Sequence, residues 1–157
     1  MKNTNNLSEK IEIIHREKIV DNRGWFLKPI TGKEDNLPSY TGEIYLVSSS
    51  NGASRGGHYH KKATEWFTIF EGKSILRLYD IFTKEKLEIK INNLNPLTIV
   101  VPPFVAHRFD SVGKDSFTLL EPYFFTSFCM SSLVIIPYHP VCLQGLLFSQ
   151  GCGLLRH

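Results

Sequence analysis

The amino-acid sequence predicts an all-β domain, a sandwich or barrel, on three observations. Short segments rich in β-branched and aromatic residues, several alternating apolar and polar with period two, recur between Glu43 and Glu121. Turn signals stand between them: Ser50-Asn51-Gly52, Glu71-Gly72-Lys73, Asn92-Asn93 and Val112-Gly113-Lys114. The length of 157 residues, with 42% hydrophobic and 21% charged residues, suits one core rather than two.

Taken in order, residues Leu7 to Arg16 are the one stretch with room for a helix, although Ile11, Ile13 and Ile14 fit an edge strand equally well. The first twenty residues therefore read as an arm or an edge, with residues 1–17 set apart from a domain at 18–126. Strands are expected at Glu43–Ser49, Trp66–Phe70, Ser74–Asp80, Leu87–Ile91, Leu97–Val101 and Ser116–Leu120. Residues 127–157 break the pattern. Every acidic residue lies between Glu9 and Glu121, whereas the tail is apolar and holds all three cysteines, Cys129, Cys142 and Cys152.

Composition excludes several classes. Lys and Arg number 18 against 15 Asp and Glu, a net charge of +3, too small an excess for a nucleic-acid footprint. No run reaches the ~18–20 apolar residues of a membrane helix, since Pro137, His139, Pro140, Gln144 and Gly145 interrupt the tail. The polar start, Met1 to Glu9, carries no secretory pattern, so a cytoplasmic location is expected. The cysteines contain no C-x-x-C pair and read as apolar fillers.

Three of the six histidines stand at informative places. On a strand, residues two apart share a face, so His58 and His60 converge while Tyr59 turns away. Glu65 follows after a connection of about hairpin length, from which the next strand can return its carboxylate beside the pair. His107 comes after the Pro102-Pro103 corner, where antiparallel pairing can bring it to the same mouth. Imidazole nitrogens with a carboxylate suit Zn, Fe, Mn or Ni, and donor softness alone does not choose among them. His15, His139 and His157 read as ordinary exposed or satisfied residues, and Lys61 and Lys62 as solubilising charges.

The spacing Gly52, five residues, His58-Tyr59-His60, four residues, Glu65, six residues, Gly72 resembles the first motif of the cupin superfamily in every position. The second motif is matched at Pro102 and His107 but not at Phe104, where glycine is usual, or Ser111, where asparagine is. This resemblance implies a small RmlC-like jelly-roll antiparallel β-barrel, often a dimer, with its site inside the barrel mouth.

Further residues, Asp21-Asn22-Arg23-Gly24-Trp25-Phe26 and Arg55-Gly56-Gly57-His58-Tyr59-His60, resemble the nucleotide-sugar branch: the dTDP-4-dehydrorhamnose 3,5-epimerases and sugar 3,4-ketoisomerases. That implies an isomerase or epimerase acting on a nucleotide-linked 4-keto-6-deoxyhexose, with His58, His60 and Tyr45 as catalytic residues and no cofactor required. Arg55 would hold the pyrophosphate, with Arg23 and Phe26 as further substrate contacts. Two features depart from that branch. The strand Ser116–Leu120 lacks the epimerases' acid tyrosine, Tyr123 being the nearest, and Glu65 belongs to metal-holding cupins. The alternative is therefore a metal-binding cupin, with a divalent ion on His58, His60, Glu65 and His107, that binds or senses a small ligand. A histidine nitrogen bound to metal cannot also accept a substrate proton, so the two roles compete. A homodimer is expected, and the tail is expected either to cover a dimer face or to be an altered reading frame.

Overall fold

The structure, a computed structural model, describes residues 6–37, 43–113, 115–125 and 133–135. The Tyr123 side chain and most of the apolar tail, its cysteines included, lie outside the described residues. A single helical turn, α1 (Leu7–Lys10), is followed by the short strands β1 (Glu12–His15), β2 (Lys18–Asp21) and β3 (Gly24–Leu27). The body comprises β4 (Ile44–Ser49), β5 (Ser54–His60), β6 (Ala63–Asp80), β7 (Lys86–Asn92), β8 (Leu97–Val101), β9 (Val105–Ser111) and β10 (Phe117–Phe125). Within the tail, β11 (Leu133–Ile135) pairs with β5 along Tyr59.

The strand β6 organises the barrel, because it belongs to both of its walls. Its first half pairs with β8 and β10, in a wall ordered β1-β8-β6-β10-β4, and its second half pairs with β7 and β9, in a wall ordered β7-β6-β9-β5-β11. All pairings are antiparallel. The expected turn at Glu71-Gly72-Lys73, and the two separate strands around it, are thus corrected to one bent strand. Gly72 makes the bend with φ +76°, and a Cβ there would stand 2.0 Å from the Ser116 carbonyl oxygen, so only glycine lets β10 run alongside.

Period-two alternation decides the interior. Phe67, Ile69, Leu76, Leu78, Ile99 and Phe109 face inward and are buried between the walls. Leu7 and Ile11 join them, so the N-terminal segment packs onto the core, with β1 as the edge partner of β8. Trp66, on the opposite face of β6, sits in a second apolar layer with Val100 and Phe124, covered by Ile30 and Leu37 from the segment after β3. That segment is fastened by a buried pair, Arg16 Nη2 to Glu34 Oε1 at 2.9 Å. Burial pushes the Glu34 carboxyl upward, but hydrogen bonds from the backbone, from Thr31 and from Arg16 outweigh it and hold the carboxyl down at about 2. Among the described residues, no helix is long and apolar enough to cross a membrane.

Candidate active site

At one end the inner wall turns polar. The strand β5 reaches it through two glycines that interrupt its pairing with β9: Arg55 lies opposite Phe109 and Gly56 opposite Arg108, but His58 lies opposite His107. The extra residue is a β-bulge. Three positions apart on a regular strand, Arg55 and His58 would face opposite sides; the bulge lets both line one cavity. Gly56 has φ +84° and carries no Cβ, which would stand 2.7 Å from the His107 carbonyl oxygen.

The link Lys61-Lys62 is not a hairpin, as its length suggested. The strand β5 pairs with β9 and β11, while the start of β6 pairs with β8 and β10, so the link crosses from one wall to the other. Glu65 still arrives beside the histidines, because the two walls close on each other at this end. Its Oε1 lies 3.1 Å from His60 Nε2 and its Oε2 lies 3.2 Å from His107 Nδ1. The His58 and His107 rings meet edge to face at 4.6 Å, and those of His58 and His60 at 5.1 Å.

A sixth residue, Glu121, completes the cluster and was not anticipated from the sequence. It follows Phe117 and Leu119 on the inward face of β10, is only 7% exposed, and accepts a 2.5 Å hydrogen bond from the Tyr45 hydroxyl on the paired strand β4. Its signal was present: a carboxylate at the third inward position of an otherwise apolar face has to be there for a reason other than packing.

Burial sets the protonation of the cluster. It lowers His58 to about 4, with help from His60, lowers His60, and holds His107 well below the ordinary imidazole value. It also pushes Glu65 and Glu121 up to about 8, the two carboxyls sharing a hydrogen bond, and pushes the Tyr45 hydroxyl above its ordinary value, reinforced by the bond to Glu121. At neutral pH the cluster therefore holds neutral imidazoles able to accept protons, a phenol that keeps its proton, and carboxyls short of full ionisation. The His–Glu contacts are thus not salt bridges in the ordinary sense.

The cavity, of about 150 Å³, is lined by Tyr45, Arg55, His58, His107 and Glu121 together with apolar residues. Arg55 stands at its exposed rim, its Nε bonded to the Ser48 carbonyl oxygen at 2.9 Å. Arg23 and Phe26 do not line it. They sit exposed on the β2–β3 hairpin, where Arg23 pairs with Asp21 and Trp25 leans on Phe70 at 6.5 Å.

The donor set fits a divalent cation. Glu65 Oε1 and His107 Nδ1 are buried without an aligned hydrogen bond, a state that a bound cation would relieve. All four expected ligands fall within two overlapping groups, His58–His60–Glu65 and Glu65–His107–Glu121, in each of which the ligand atoms lie within 4.8 Å of one another.

This antiparallel barrel, with a His-x-His strand, a carboxylate and a third histidine on its inner wall, has the RmlC-like fold. The chain belongs to the polysaccharide biosynthesis C-terminal domain family, whose model matches residues 19–126. It is 28% identical over 111 residues, 68% of this chain and 72% of the other, to the spore coat polysaccharide biosynthesis protein SpsL of Bacillus subtilis. It is 26% identical over 100 residues, 64% of this chain, to the UDP-2-acetamido-2,6-β-L-arabino-hexul-4-ose reductase of Pseudomonas aeruginosa, of which that match spans 25%. The solved dTDP-6-deoxy-D-glucose-3,5-epimerase RmlC of Legionella pneumophila, in complex with dTDP-4-keto-L-rhamnose, shares the fold with a TM-score of 0.66 at 18% identity, over 87% of this chain and 72% of that one.

Proposed function

We propose that this protein is an isomerase or epimerase that moves a proton next to the keto group of a nucleotide-linked 4-keto-6-deoxyhexose. The observation that carries this reading is a proton acceptor and a proton donor facing one small cavity: neutral His58 and protonated Tyr45, the latter oriented by Glu121. A proton α to a carbonyl leaves only with a base in place and a donor for the developing enolate, which together contribute ~10²–10⁴-fold each in general acid–base terms. His58 takes the proton; the Tyr45 hydroxyl supports the enolate oxygen or returns a proton to the neighbouring carbon, and His60 flanks the base.

A cavity of about 150 Å³ is smaller than the ~300–1,000 Å³ of pockets that enclose whole drug-sized ligands. It suits a sugar ring entering while the nucleotide stays outside, its pyrophosphate on the planar guanidinium of Arg55. Arg23 and Phe26, on an exposed hairpin, are read as contacts to the substrate of a second subunit in a homodimer, and the reaction as cytoplasmic. A divalent cation held on the buried His and Glu side chains would supply Lewis-acid stabilisation of the enolate oxygen. Incubation with dTDP- or UDP-4-keto-6-deoxyglucose in deuterated water should place deuterium at C3 or C5. Absence of exchange with either sugar would sink the reading.

A second reading is favoured by the lack of any tyrosine in Phe117–Leu120 and by the buried carboxylates. In it the protein is a metal-holding cupin that binds a small ligand without turnover. Protein that cannot be loaded with Zn, Ni, Mn or Fe would remove it.

A further inference from the structure

We infer that the apolar part of the cavity, formed by Val47, Phe109 and Leu119, receives the C6 methyl group of the sugar and so selects 6-deoxyhexoses over hexoses that carry a 6-hydroxyl, an assignment that rests on the cavity being the sugar site proposed above. Strand register divides the cavity wall into two layers. In one, Tyr45 stands opposite Glu121 and His58 opposite His107. In the next, two residues further along β4, β9 and β10, Val47 stands opposite Leu119 and Phe109 opposite Arg55. Both layers line the same cavity of about 150 Å³. Every side chain of the first layer can hydrogen-bond, whereas those of Val47, Phe109 and Leu119 cannot. Arg55, the fourth member of the second layer, stands at the exposed rim with its Nε bonded to the Ser48 carbonyl oxygen.

The apolar layer is held rigidly. Leu119 and Phe109 are 0% and 2% exposed, and the Phe109 ring is wedged between Phe67 at 4.8 Å and Phe117 at 6.2 Å, so the surface it presents is fixed by close packing. The substrate has a matching asymmetry. Each ring carbon of a 4-keto-6-deoxyhexose bears a polar atom, and the methyl group at C5 is the one substituent unable to hydrogen-bond. With the keto oxygen at Tyr45 and the α carbon at His58, C5 lies between the keto carbon and, through the ring oxygen, the anomeric carbon whose pyrophosphate leaves by way of Arg55. Its methyl therefore falls on the layer that Arg55 shares. Burial of the methyl there is favourable, whereas a 6-hydroxyl would lose its water without gaining a partner. Apolar pockets reject an added hydroxyl by up to about 10²-fold, which sets the scale of the selection.

The test reads binding rather than turnover. Calorimetric titration of the full-length protein compares dTDP-6-deoxyglucose with dTDP-glucose, and UDP-6-deoxyglucose with UDP-glucose; the members of each pair lack the keto group and differ only in the 6-hydroxyl. The 6-deoxy sugar should bind about 10–10²-fold more tightly than its partner. Val47→Thr nearly keeps the shape of the side chain and adds a hydroxyl to the layer, so it should lower that preference by at least about threefold. Leu119→Ala, which opens space for water beside a 6-hydroxyl, should lower it as well. If Leu119→Ala does not fold by circular dichroism, the wild type and Val47→Thr decide by themselves. Equal affinity for the two sugars of a pair, or a preference that Val47→Thr leaves unchanged, overturns the assignment, and absence of binding by all four sugars overturns it together with the sugar site. Deuterium exchange is a separate outcome: a preference without exchange leaves the methyl pocket standing and removes the isomerase, and exchange without a preference does the reverse.

Discussion

The two buried carboxyls make the stability of the metal-free protein depend on pH in a direction opposite to that of most proteins. Glu121 moves from an ordinary value of 4.5 to about 8 on folding, with burial as the largest cause, so the folded chain binds a proton that the unfolded chain has already released. The stability this confers is complete at acid pH and is lost as the pH rises from 4.5 through about 8; Glu65 behaves the same way. The histidines act oppositely, with an effect that fades above their ordinary value of 6.5 as the unfolded imidazoles lose their remaining protons. Comparison with a variant lacking one carboxyl cancels that contribution and isolates the carboxyl across the window from 6.5 to 8. Each retained proton gives a slope of about 1.4 kcal/mol per pH unit, so each carboxyl removes about 2 kcal/mol across the window. Glu121→Gln keeps the shape of the side chain and deletes one titration. Urea unfolding in chelator at several pH values across this window should show the wild type losing stability with rising pH, and the variant losing it less steeply by up to about 1.4 kcal/mol per pH unit. Parallel curves, or a wild type that gains stability between pH 6.5 and 8, would refute the assignment of buried, proton-sharing carboxyls.

Substitutions at three other positions probe separate parts of the structure. Tyr45→Phe removes the hydroxyl bonded to Glu121, and solvent-deuterium exchange into the keto sugar should slow by at least ~10²-fold with little change in KM; an unaltered rate would exclude Tyr45 as the proton donor. Phe104 occupies the left-handed region at φ +65°, which explains why glycine is usual there, and packs its ring against Phe82 at 5.0 Å and Tyr59 at 6.2 Å. Both truncations lose those contacts but only glycine escapes the strain, so Phe104→Gly should be more stable than Phe104→Ala by about 1 kcal/mol in urea unfolding, and the reverse order would contradict the strained backbone. Glu34→Gln leaves the buried Arg16 guanidinium without its charged partner, its Nε still bonded to Thr98 Oγ1, at a cost of up to about 3–5 kcal/mol; a midpoint near that of the wild type would show the pair to be solvated.

Much of the barrel was legible because local chemistry and global fold agree. The strands from Glu43 to Glu121 alternate with period two, and the His-x-His spacing places both rings on one face whatever the partner strands. The reading failed where a residue acts through neighbours distant in the chain. Glu71-Gly72-Lys73 carries a turn composition, yet its glycine serves the close passage of β10, 2.0 Å from where a Cβ would stand. Arg55 and His58 look out of phase until the bulge opposite β9 brings them together. Glu121 looked like the last acid before an apolar tail, and it became part of the site only through the register that sets it opposite Tyr45.

The sequence by itself determined the class of fold, the histidine strand and the identity of Glu65 and His107 as its companions, because residue type and spacing along a strand are local properties. Tertiary structure alone decided that β6 serves both walls, that Arg23 and Phe26 stand away from the cavity of their own chain, and that Glu65 is shared between two possible ligand groups. It also decided how those groups hold their protons. Water, charge and proton affinity depend on what surrounds a group from every side, and for this cluster those surroundings come from five strands separated by up to 76 positions in the chain.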